Sequence, residues 1–191
     1  MMRGKLIMIA APSGCGKTTI AKAILQRHPQ MLFSVSATTR PKRDAEVEGK
    51  DHFFLTKEEF QKRLQNDELA EWEEIYGNLY GTLKSEIQRA LNAGKTMLFD
   101  IDVKGALSIQ KYFPDESTLI FIKPPSIEEL QRRLENRKTE NAETVKRRMA
   151  RAEMELAQAE KFDVQIVNDN LETAIANVDE VVRQTMQKII L

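Results

Sequence analysis

The sequence predicts an α/β fold with a parallel sheet, because short apolar runs alternate with longer helical patterns. Residues 6–10 form a continuous apolar run without alternation, which is typical of a strand buried on both faces of a parallel sheet. Similar runs recur at residues 97–99, 119–122 and 164–167. Helical segments separate these runs, so we expect strands and helices in alternation along the chain.

Helices are predicted where start and stop signals enclose helical patterns of apolar residues. Thr56 and Glu59 form a capping box at the start of one helix, and Ser126 and Glu129 form another. Gly94 is a suitable residue to end a third helix. The predicted helices lie at residues 18–27, 56–64, 84–92, 127–136 and 171–189.

Two segments break this alternation and are predicted to be lobes inserted into the α/β core. Residues 34–82 are polar and are interrupted by Pro41 and three glycines, although the helix at 56–64 lies within them. Residues 133–151 are dense in arginine and lysine. Neither segment shows the internal repeats or low complexity that would indicate a different architecture.

The composition excludes several classes of protein. The chain has 191 residues, of which 41% are hydrophobic, so it can bury a sizeable core and is not expected to be disordered. Lysine and arginine number 29, as do aspartate and glutamate, and the formal net charge is zero. Proteins that coat nucleic acid or an anionic membrane need a basic excess, so we expect neither partner.

The cysteine content and the hydropathy pattern indicate a soluble, unprocessed cytoplasmic protein. One cysteine cannot form an internal disulfide, which fits a reducing cytoplasm. The apolar run at residues 6–11 is shorter than the core of a signal peptide, and no stretch approaches the roughly 18 apolar residues of a membrane span. With two histidines and one cysteine, the chain lacks a zinc cluster, so oxygens must hold any metal.

A phosphate-binding loop is predicted at residues 11–18, Ala-Pro-Ser-Gly-Cys-Gly-Lys-Thr, between the first strand and the first helix. Glycines let backbone N–H groups surround phosphate oxygens, and the helix N-terminus adds positive partial charge. Lys17 is suited to the β and γ phosphates and Thr18 to Mg²⁺. An ordinary glycine turn is the alternative, because the strict motif has glycine where this chain has Ala11. The predicted contacts of the donor nucleotide here are Ala11, Pro12, Ser13, Gly14, Cys15, Gly16, Lys17, Thr18 and Thr19.

A second phosphate site is indicated at residues 34–43, where Arg40 and Arg43 lie beside several hydroxyl groups. Glu71 and Trp72 follow in the same segment, and we expect Trp72 to pack in the core.

Cys15, in the loop described above, is interpreted as a small side chain that fills a slot rather than as a reactive thiol.

The ordered set of motifs resembles the guanylate kinase family, P-loop nucleoside monophosphate kinases that phosphorylate GMP with ATP. The resemblance runs from residue 4 to about 185. It rests on Ala-Pro-Ser-Gly-x-Gly-Lys-Thr, Ser-x-Thr-Thr-Arg-x-x-Arg-x-x-Glu, Glu-Trp, Gly-Asn-x-Tyr-Gly-Thr, Asp-Ile-Asp-x-x-Gly and Val-Asn-Asp.

The resemblance implies a P-loop NTPase fold in one domain over residues 1–191, with a five-stranded parallel core sheet flanked by helices. The core is expected to comprise residues 1–33, 83–125 and 158–191. An acceptor lobe that binds GMP is expected at residues 34–82, and a helical lid at residues 126–157.

The resemblance also implies how guanine is recognised. The Glu71 carboxylate would accept from guanine N1–H and N2–H₂, while the Thr82 and Ser36 hydroxyls would donate to O6. Adenine would leave the carboxylate unpaired, which disfavours its binding. The implied substrate-binding residues are Ser36, Arg40, Arg43, Glu46, His52, Glu71, Tyr80, Thr82, Asp100 and Asp102.

Some of these assignments leave alternatives open. His52 stands where the family has a second phosphate-binding tyrosine, and it either replaces that phenol or merely packs beside Phe53 and Phe54. Glu46 is either a site residue or a loop charge. Asp100 lies at the end of a predicted strand and is expected to contact Mg²⁺ or the GMP nucleoside. The alternative is that a carboxylate at this strand end only caps the next helix.

The lid is expected to carry the arginines that surround the transferred phosphoryl group. Arg133, Arg137 and Arg148 match the lid arginines of the family, with Lys138 in place of a glycine. An RNA-binding basic run is the alternative, and the zero net charge disfavours it. Other basic residues of the lid, namely Arg132, Lys146, Arg147 and Arg151, are interpreted as a solvated helix face.

A further segment, Val-Asn-Asp at residues 167–169, matches the family's contact with adenine. Asn168 and Asp169 are therefore predicted to bind ATP. A cap of the last helix by Asp169 or Asn170 is the alternative.

We therefore expect transfer of the γ-phosphoryl group of ATP to GMP, with Mg²⁺ held by Thr18 and Asp100. The expected catalytic residues are Lys17, Arg40, Arg133, Arg137 and Arg148. The alternatives are a nucleoside monophosphate kinase for another base and a non-catalytic module that binds phosphorylated peptides. The expected partners are ATP and GMP, with dGMP as an additional acceptor, while the oligomeric state is left open, a homodimer included.

Overall fold

The computed structural model describes residues 3–136 and 142–187. In chain order its strands and helices are β1 (Leu6–Ala10), α1 (Lys17–Arg27), β2 (Leu32–Phe33), β3 (Ala37–Thr38), β4 (Phe53–Phe54), α2 (Lys57–Gln65), β5 (Leu69–Ile75), β6 (Asn78–Leu83), α3 (Lys84–Asn92), β7 (Met97–Asp100), α4 (Val103–Tyr112), β8 (Ser117–Lys123), α5 (Ile127–Glu135), α6 (Ala142–Leu156), β9 (Val164–Val167) and α7 (Leu171–Gln187).

Within these residues, five parallel strands form the core sheet in the order β2-β7-β1-β8-β9. Every residue of the central strand β1 is fully buried, which explains its unbroken apolar sequence. Ile7 and Ile9 pack with α1 and α7 on one face, whereas Leu6 and Met8 pack with α3 and α4 on the other. The predicted α/β fold with a five-stranded parallel sheet is therefore confirmed.

The predicted helices are confirmed, with small changes at their ends. At α2, the Thr56 side chain accepts from the Glu59 backbone N–H, and the reciprocal bond completes the capping box. At α5, Ser126 accepts from the Glu129 backbone. The last helix is described to Gln187, so the predicted apolar position at Ile189 lies outside the described residues.

A second sheet, which the sequence did not predict, lies in residues 34–83. Its four described strands have the order β4-β3-β6-β5 and combine parallel with antiparallel pairing. Strands β5 and β6 are joined by a two-residue turn at Tyr76 and Gly77, both with positive φ, which suits the twist of a hairpin. Phe60 of α2 is fully buried against this sheet with Leu69 and Leu83.

The expectation that Trp72 packs in the core is wrong. Trp72 is 48% exposed and lies on β5, the edge strand of the small sheet. The position after Glu71 gave no indication of an edge strand. In the described parts of the chain, no helix is long and apolar enough to cross a membrane.

Candidate functional site

The segment predicted to bind phosphate connects β1 to α1 at the carboxyl edge of the core sheet. Gly14 and Gly16 have φ values of 94° and 82°, in the left-handed region that glycine adopts without strain. A Cβ on Gly16 would lie 2.6 Å from the Asn168 side-chain nitrogen. That nitrogen donates to the Cys15 carbonyl oxygen at 2.9 Å. The glycines and Asn168 therefore hold the curled backbone that a phosphate-binding loop requires.

The Cys15 side chain is fully buried beneath this loop. Burial raises the pKa of its thiol to about 12, so the thiol stays protonated at neutral pH and is a poor nucleophile. This supports the interpretation of Cys15 as a residue that fills space.

Lys17 connects the loop to the end of β7. Its Nζ donates to the Ile101 carbonyl oxygen at 2.7 Å and lies 3.0 Å from Asp100 Oδ1. The pair lies at the carboxyl ends of neighbouring parallel strands, the edge where open α/β sheets bind ligands. Asp100 and the exposed Thr18 hydroxyl are oxygen donors near the expected phosphates, a donor set that suits Mg²⁺.

Two predicted lid arginines contact the nucleotide side of the core. Arg148 donates to the Ser13 hydroxyl at 3.1 Å. Arg133 donates to the Asn168 carbonyl oxygen at 3.1 Å and to Glu129 Oε1 at 2.8 Å. The predicted catalytic Arg137 and its neighbour Lys138 lie outside the described residues.

Two adjoining cavities lie between the core, the small sheet and α6. The first, of about 640 Å³, is lined by residues 11–19, by the β5–β6 hairpin and by α6. The second, of about 540 Å³, is lined by Glu71 and by residues of α4. Glu73, Glu74 and Asp102 line both cavities. The structure thus places the phosphate-binding loop and Glu71 around one continuous region.

Glu71 and Thr82 form the pair predicted to recognise a base. They are opposite each other on β5 and β6, and the Thr82 hydroxyl donates to Glu71 Oε1 at 2.6 Å. The pKa of the Glu71 carboxyl is raised to about 7, chiefly by burial, which outweighs the lowering effect of the Thr82 hydrogen bond and is assisted by the negative charges of Asp102 and Glu73. The carboxyl is therefore poised to change its charge near neutral pH.

Arg40 is held by Glu46 in a two-point ion pair, with distances of 2.6 and 3.1 Å. Glu46 also accepts from the Arg43 backbone N–H at 2.8 Å. The Arg40 hydrogen bonds, followed by the Arg43 bond, lower the pKa of Glu46 to about 2. Glu46 therefore positions an arginine and is more than a loop charge, whereas the Arg43 side chain is exposed.

His52 lies among the other residues of the predicted acceptor phosphate site. Its Nδ1 is 2.9 Å from the Ser36 hydroxyl, and its ring is 6.0 Å from the Tyr80 ring. The ring also contacts Phe54 edge to face. His52 therefore packs against aromatic rings and also lies near residues predicted to bind the acceptor nucleotide.

Hydrogen bonds at the starts of α4 and α7 show which of the candidate residues cap these helices. Asp102 caps α4 by accepting from the Gly105 backbone N–H at 2.7 Å. Asn170 caps α7 by accepting from the Thr173 N–H at 3.0 Å, while Asp169 is exposed. The Asn168 amide nitrogen is bound to Cys15, so its contact with adenine stays a prediction.

Sequence reasoning missed three residues that organise the site, Glu73, Glu129 and Arg151. Glu129 is four residues before Arg133, a helical spacing that indicates an ion pair. Glu73 is two residues after Glu71 in a strand, a spacing that places both on one face. Arg151 is not only part of a solvated face, because it pairs with Asp102 at 3.1 Å.

Comparison with known proteins agrees with this geometry. The family model described as guanylate kinase matches residues 3–185. A guanylate kinase of Chlorobium luteolum is 48% identical over 92% of this chain and 89% of its own length. One of Thermotoga maritima is 45% identical over 98% of this chain and 90% of its own length.

A solved structure gives the same result for the fold. The crystal structure of guanylate kinase from Anaplasma phagocytophilum superposes with a TM-score of 0.72 at 30% identity, covering 97% of this chain and 88% of that one. Sequence, fold and the paired cavities agree, and the chain belongs to the guanylate kinase family of ATP-dependent nucleoside monophosphate kinases.

Proposed function

We propose that the two adjoining cavities bind ATP and GMP, and that the chain transfers the γ-phosphoryl group of ATP to GMP, giving ADP and GDP. One observation carries this proposal: the phosphate-binding loop lines one cavity, Glu71 lines the adjoining one, and the two cavities share Glu73, Glu74 and Asp102. A donor phosphate and an acceptor nucleotide bound there would be neighbours. Alignment of this kind supplies much of the catalysis of phosphoryl transfer.

The acceptor lobe supplies recognition of GMP. Ionised Glu71 accepts from the two N–H groups of guanine, and Thr82 and Ser36 donate to O6. For this the Thr82 hydroxyl exchanges its hydrogen bond to Glu71 for one to the base. Arg40, held by Glu46, binds the GMP phosphate together with Arg43, Tyr80 and His52. The GMP phosphate is the nucleophile and is already ionised near neutral pH, so the reaction needs no general base.

The loop and the lid supply the positive charge that the transfer requires. Lys17, which lies 3.0 Å from Asp100 Oδ1, exchanges that contact for the β and γ phosphates of ATP. Arg148 and Arg133, which contact Ser13 and Asn168, are close enough to the loop to surround the transferred group. Arg137, which lies outside the described residues, is assigned the same role from the family resemblance alone. The lid also excludes water that would otherwise hydrolyse ATP.

The Thr18 hydroxyl and the Asp100 carboxylate would hold Mg²⁺. When bound, the ion neutralises charge on the ATP phosphates. We also include dGMP as an acceptor and place the protein in the cytoplasm. The zero net charge supports a small-molecule substrate rather than nucleic acid or an anionic membrane.

The decisive experiment measures ADP formation from Mg-ATP with GMP, AMP, UMP and CMP offered separately, with a control without acceptor. We expect rapid ADP formation with GMP alone. Comparable turnover of AMP or a pyrimidine would contradict the roles of Glu71 and Thr82. Tight GMP binding without turnover of any acceptor would contradict the transferase function.

A further inference from the structure

Arg151 of α6 bridges three parts of the molecule. Its guanidinium is 3.6 Å from Glu73 Oε1 on β5 and 3.1 Å from Asp102 Oδ2 at the start of α4. On its own helix it pairs with Glu155 at 2.9 Å. One side chain thus connects the lid segment with the acceptor lobe and with the core.

Two other arginines of the predicted lid, Arg133 and Arg148, make hydrogen bonds in a different part of the molecule. Arg148 reaches Ser13 in the phosphate-binding loop, and Arg133 reaches Asn168 after β9. Both contacts lie on the donor side of the site. The Arg151 contact with Glu73 instead joins α6 to the strand that carries Glu71.

The surroundings of Arg151 explain why a cation is stable there. Glu73, Asp102 and Glu155 all approach its guanidinium, and the charges of Glu73 and Asp102 also act on Glu71. Arg151 offsets repulsion among these carboxylates when α6 lies over the acceptor lobe. Moving α6 away would leave the acidic groups uncompensated.

We propose that Arg151 is a positioning residue that ties the lid to the acceptor lobe through Glu73, and thereby couples the binding of the acceptor nucleotide to closure of the lid. The inference rests on the proposed function for the identity of the two nucleotides. Because the tie is present only when α6 and β5 are close, it lowers the free energy of the closed arrangement. Nucleotides that bind the closed arrangement more tightly gain affinity by up to the same amount.

The expected effect is modest and depends on salt. The Arg151 side chain is 55% exposed and that of Glu73 is 40% exposed, so solvent screens the pair. We expect Arg151→Ala to weaken GMP binding about two- to fivefold at low ionic strength, the range measured for exposed ion pairs. The difference from the parent should shrink as salt is added.

The first test measures the distance between α6 and the acceptor lobe directly. Trp72 is the one tryptophan of the sequence and lies beside Glu73, so it serves as an energy-transfer donor. A fluorescent acceptor is attached to Glu153→Cys on the exposed face of α6, while buried Cys15 stays unlabelled. We expect Arg151→Ala to reduce the transfer efficiency in the nucleotide-free protein, and GMP plus a non-hydrolysable ATP analogue to restore it.

The second test is a double-mutant cycle on binding. The GMP dissociation constant is measured, with and without the ATP analogue, for Arg151→Ala, Glu73→Gln and the double variant. Lys146→Ala is the matched control, because it removes a positive charge from an exposed position of the same helix. We expect the double variant to resemble Arg151→Ala, because that change already removes the contact with Glu73, and we expect KM for GMP to be affected more than kcat.

The outcomes separate this inference from the proposed function. Additive effects in the cycle, or equal energy transfer in the parent and Arg151→Ala, would overturn the tie. The tie would also be overturned if Arg151→Ala weakened GMP binding only as much as Lys146→Ala does, because the loss of any positive charge on α6 would then explain the effect. If the parent binds both nucleotides without phosphorylating GMP, the proposed function fails while the energy-transfer measurement still tests the tie.

Discussion

The donor and acceptor sides of the cleft are stabilised in different ways. The phosphate-binding loop is shaped by backbone geometry at Gly14 and Gly16 above a fully buried Cys15. The acceptor lobe has a small core and arranges its polar groups through pairs such as Arg40–Glu46. A site made of backbone tolerates a changed side chain, as Ala11 shows. A site made of side-chain pairs loses its geometry when one partner changes.

Lys17→Ala tests the donor side and has the largest expected effect. Removing the amine takes away a positive charge from the site of phosphoryl transfer, so we expect kcat to fall at least about 100-fold while the fold is retained. ADP formation and thermal unfolding are the measurements. Lys22→Ala, at an exposed position of the same helix, is the control. A near-normal rate in Lys17→Ala would contradict the mechanism.

Glu71→Gln tests the acceptor side. An amide presents only one acceptor oxygen to guanine, so we expect kcat/KM for GMP to fall about 10- to 100-fold, as for the loss of a charged hydrogen bond in a buried site. The preference for GMP over AMP should fall as well. Glu58→Gln, at an exposed position of α2 in the same segment and outside both cavities, is the control. An unchanged base preference in Glu71→Gln would show that guanine is recognised elsewhere.

Glu46→Gln tests whether acceptor-side geometry depends on paired side chains. The neutral amide holds Arg40 less firmly, so we expect KM for GMP to rise about three- to tenfold with little change in kcat. Steady-state kinetics with GMP varied at saturating ATP gives both constants. Asp44→Asn, an exposed change in the same loop, should leave KM unchanged. Equal effects of the two variants would remove the positioning role of Glu46.

The pKa of Glu71, raised to about 7 by burial, predicts a pH dependence of the acceptor side. Guanine binds the ionised carboxylate, so its affinity should rise between pH 6 and pH 8 and binding should release protons. Calorimetry with guanosine avoids titration of the GMP phosphate. Glu71→Gln should abolish the dependence, and an equal slope in that variant would assign it to another group.

The raised pKa of Glu71 also determines how its contribution to folding stability changes with pH. A carboxyl whose pKa is higher in the folded than in the unfolded protein favours folding in its protonated form. This contribution is complete below pH 4.5, the ordinary pKa of a glutamate carboxyl, and is lost as the pH rises through 7. The stability of Glu71→Gln relative to the parent should therefore be greater at pH 8 than at pH 5. Thermal unfolding of both proteins at the two pH values measures this difference. A gain that is the same at both pH values would contradict the raised pKa.

His52→Tyr is expected to have the smallest effect. A phenol lies within reach of the same neighbours, so we expect kcat to stay within about threefold and KM for GMP to fall. Steady-state kinetics provides the test, and His52→Phe controls for ring packing without a polar group. Identical KM values for the parent and His52→Phe would show that His52 only packs.

The sequence predicted the donor side well because its determinants are local. A buried strand, a glycine loop and a helix start follow one another within residues 6–27, and each has its own pattern. Asn168, which fixes the loop, was found only through the family resemblance, and its bond to Cys15 spans most of the chain.

For the acceptor side, the sequence and the family resemblance named candidate residues but did not predict the sheet that carries them. Strands β3 and β4 have two residues each, too short for any alternation to appear. The exposure of Trp72 depends on β5 being an edge strand, which is a property of the sheet rather than of the segment. The Arg151 contacts depend on how α6 lies over the lobe, and no local pattern contains that information.

The order of strands in the core sheet has a consequence for how the chain folds during synthesis. The first strand, β1, is central, and Leu6 pairs with Met97 on one side and Ser117 on the other. The small sheet, in contrast, pairs only residues within one continuous segment. Since local contacts form before distant ones, the emerging chain can assemble the small sheet before β1 pairs with either of its neighbours. The apolar β1 is then the segment that most needs protection from aggregation on the ribosome.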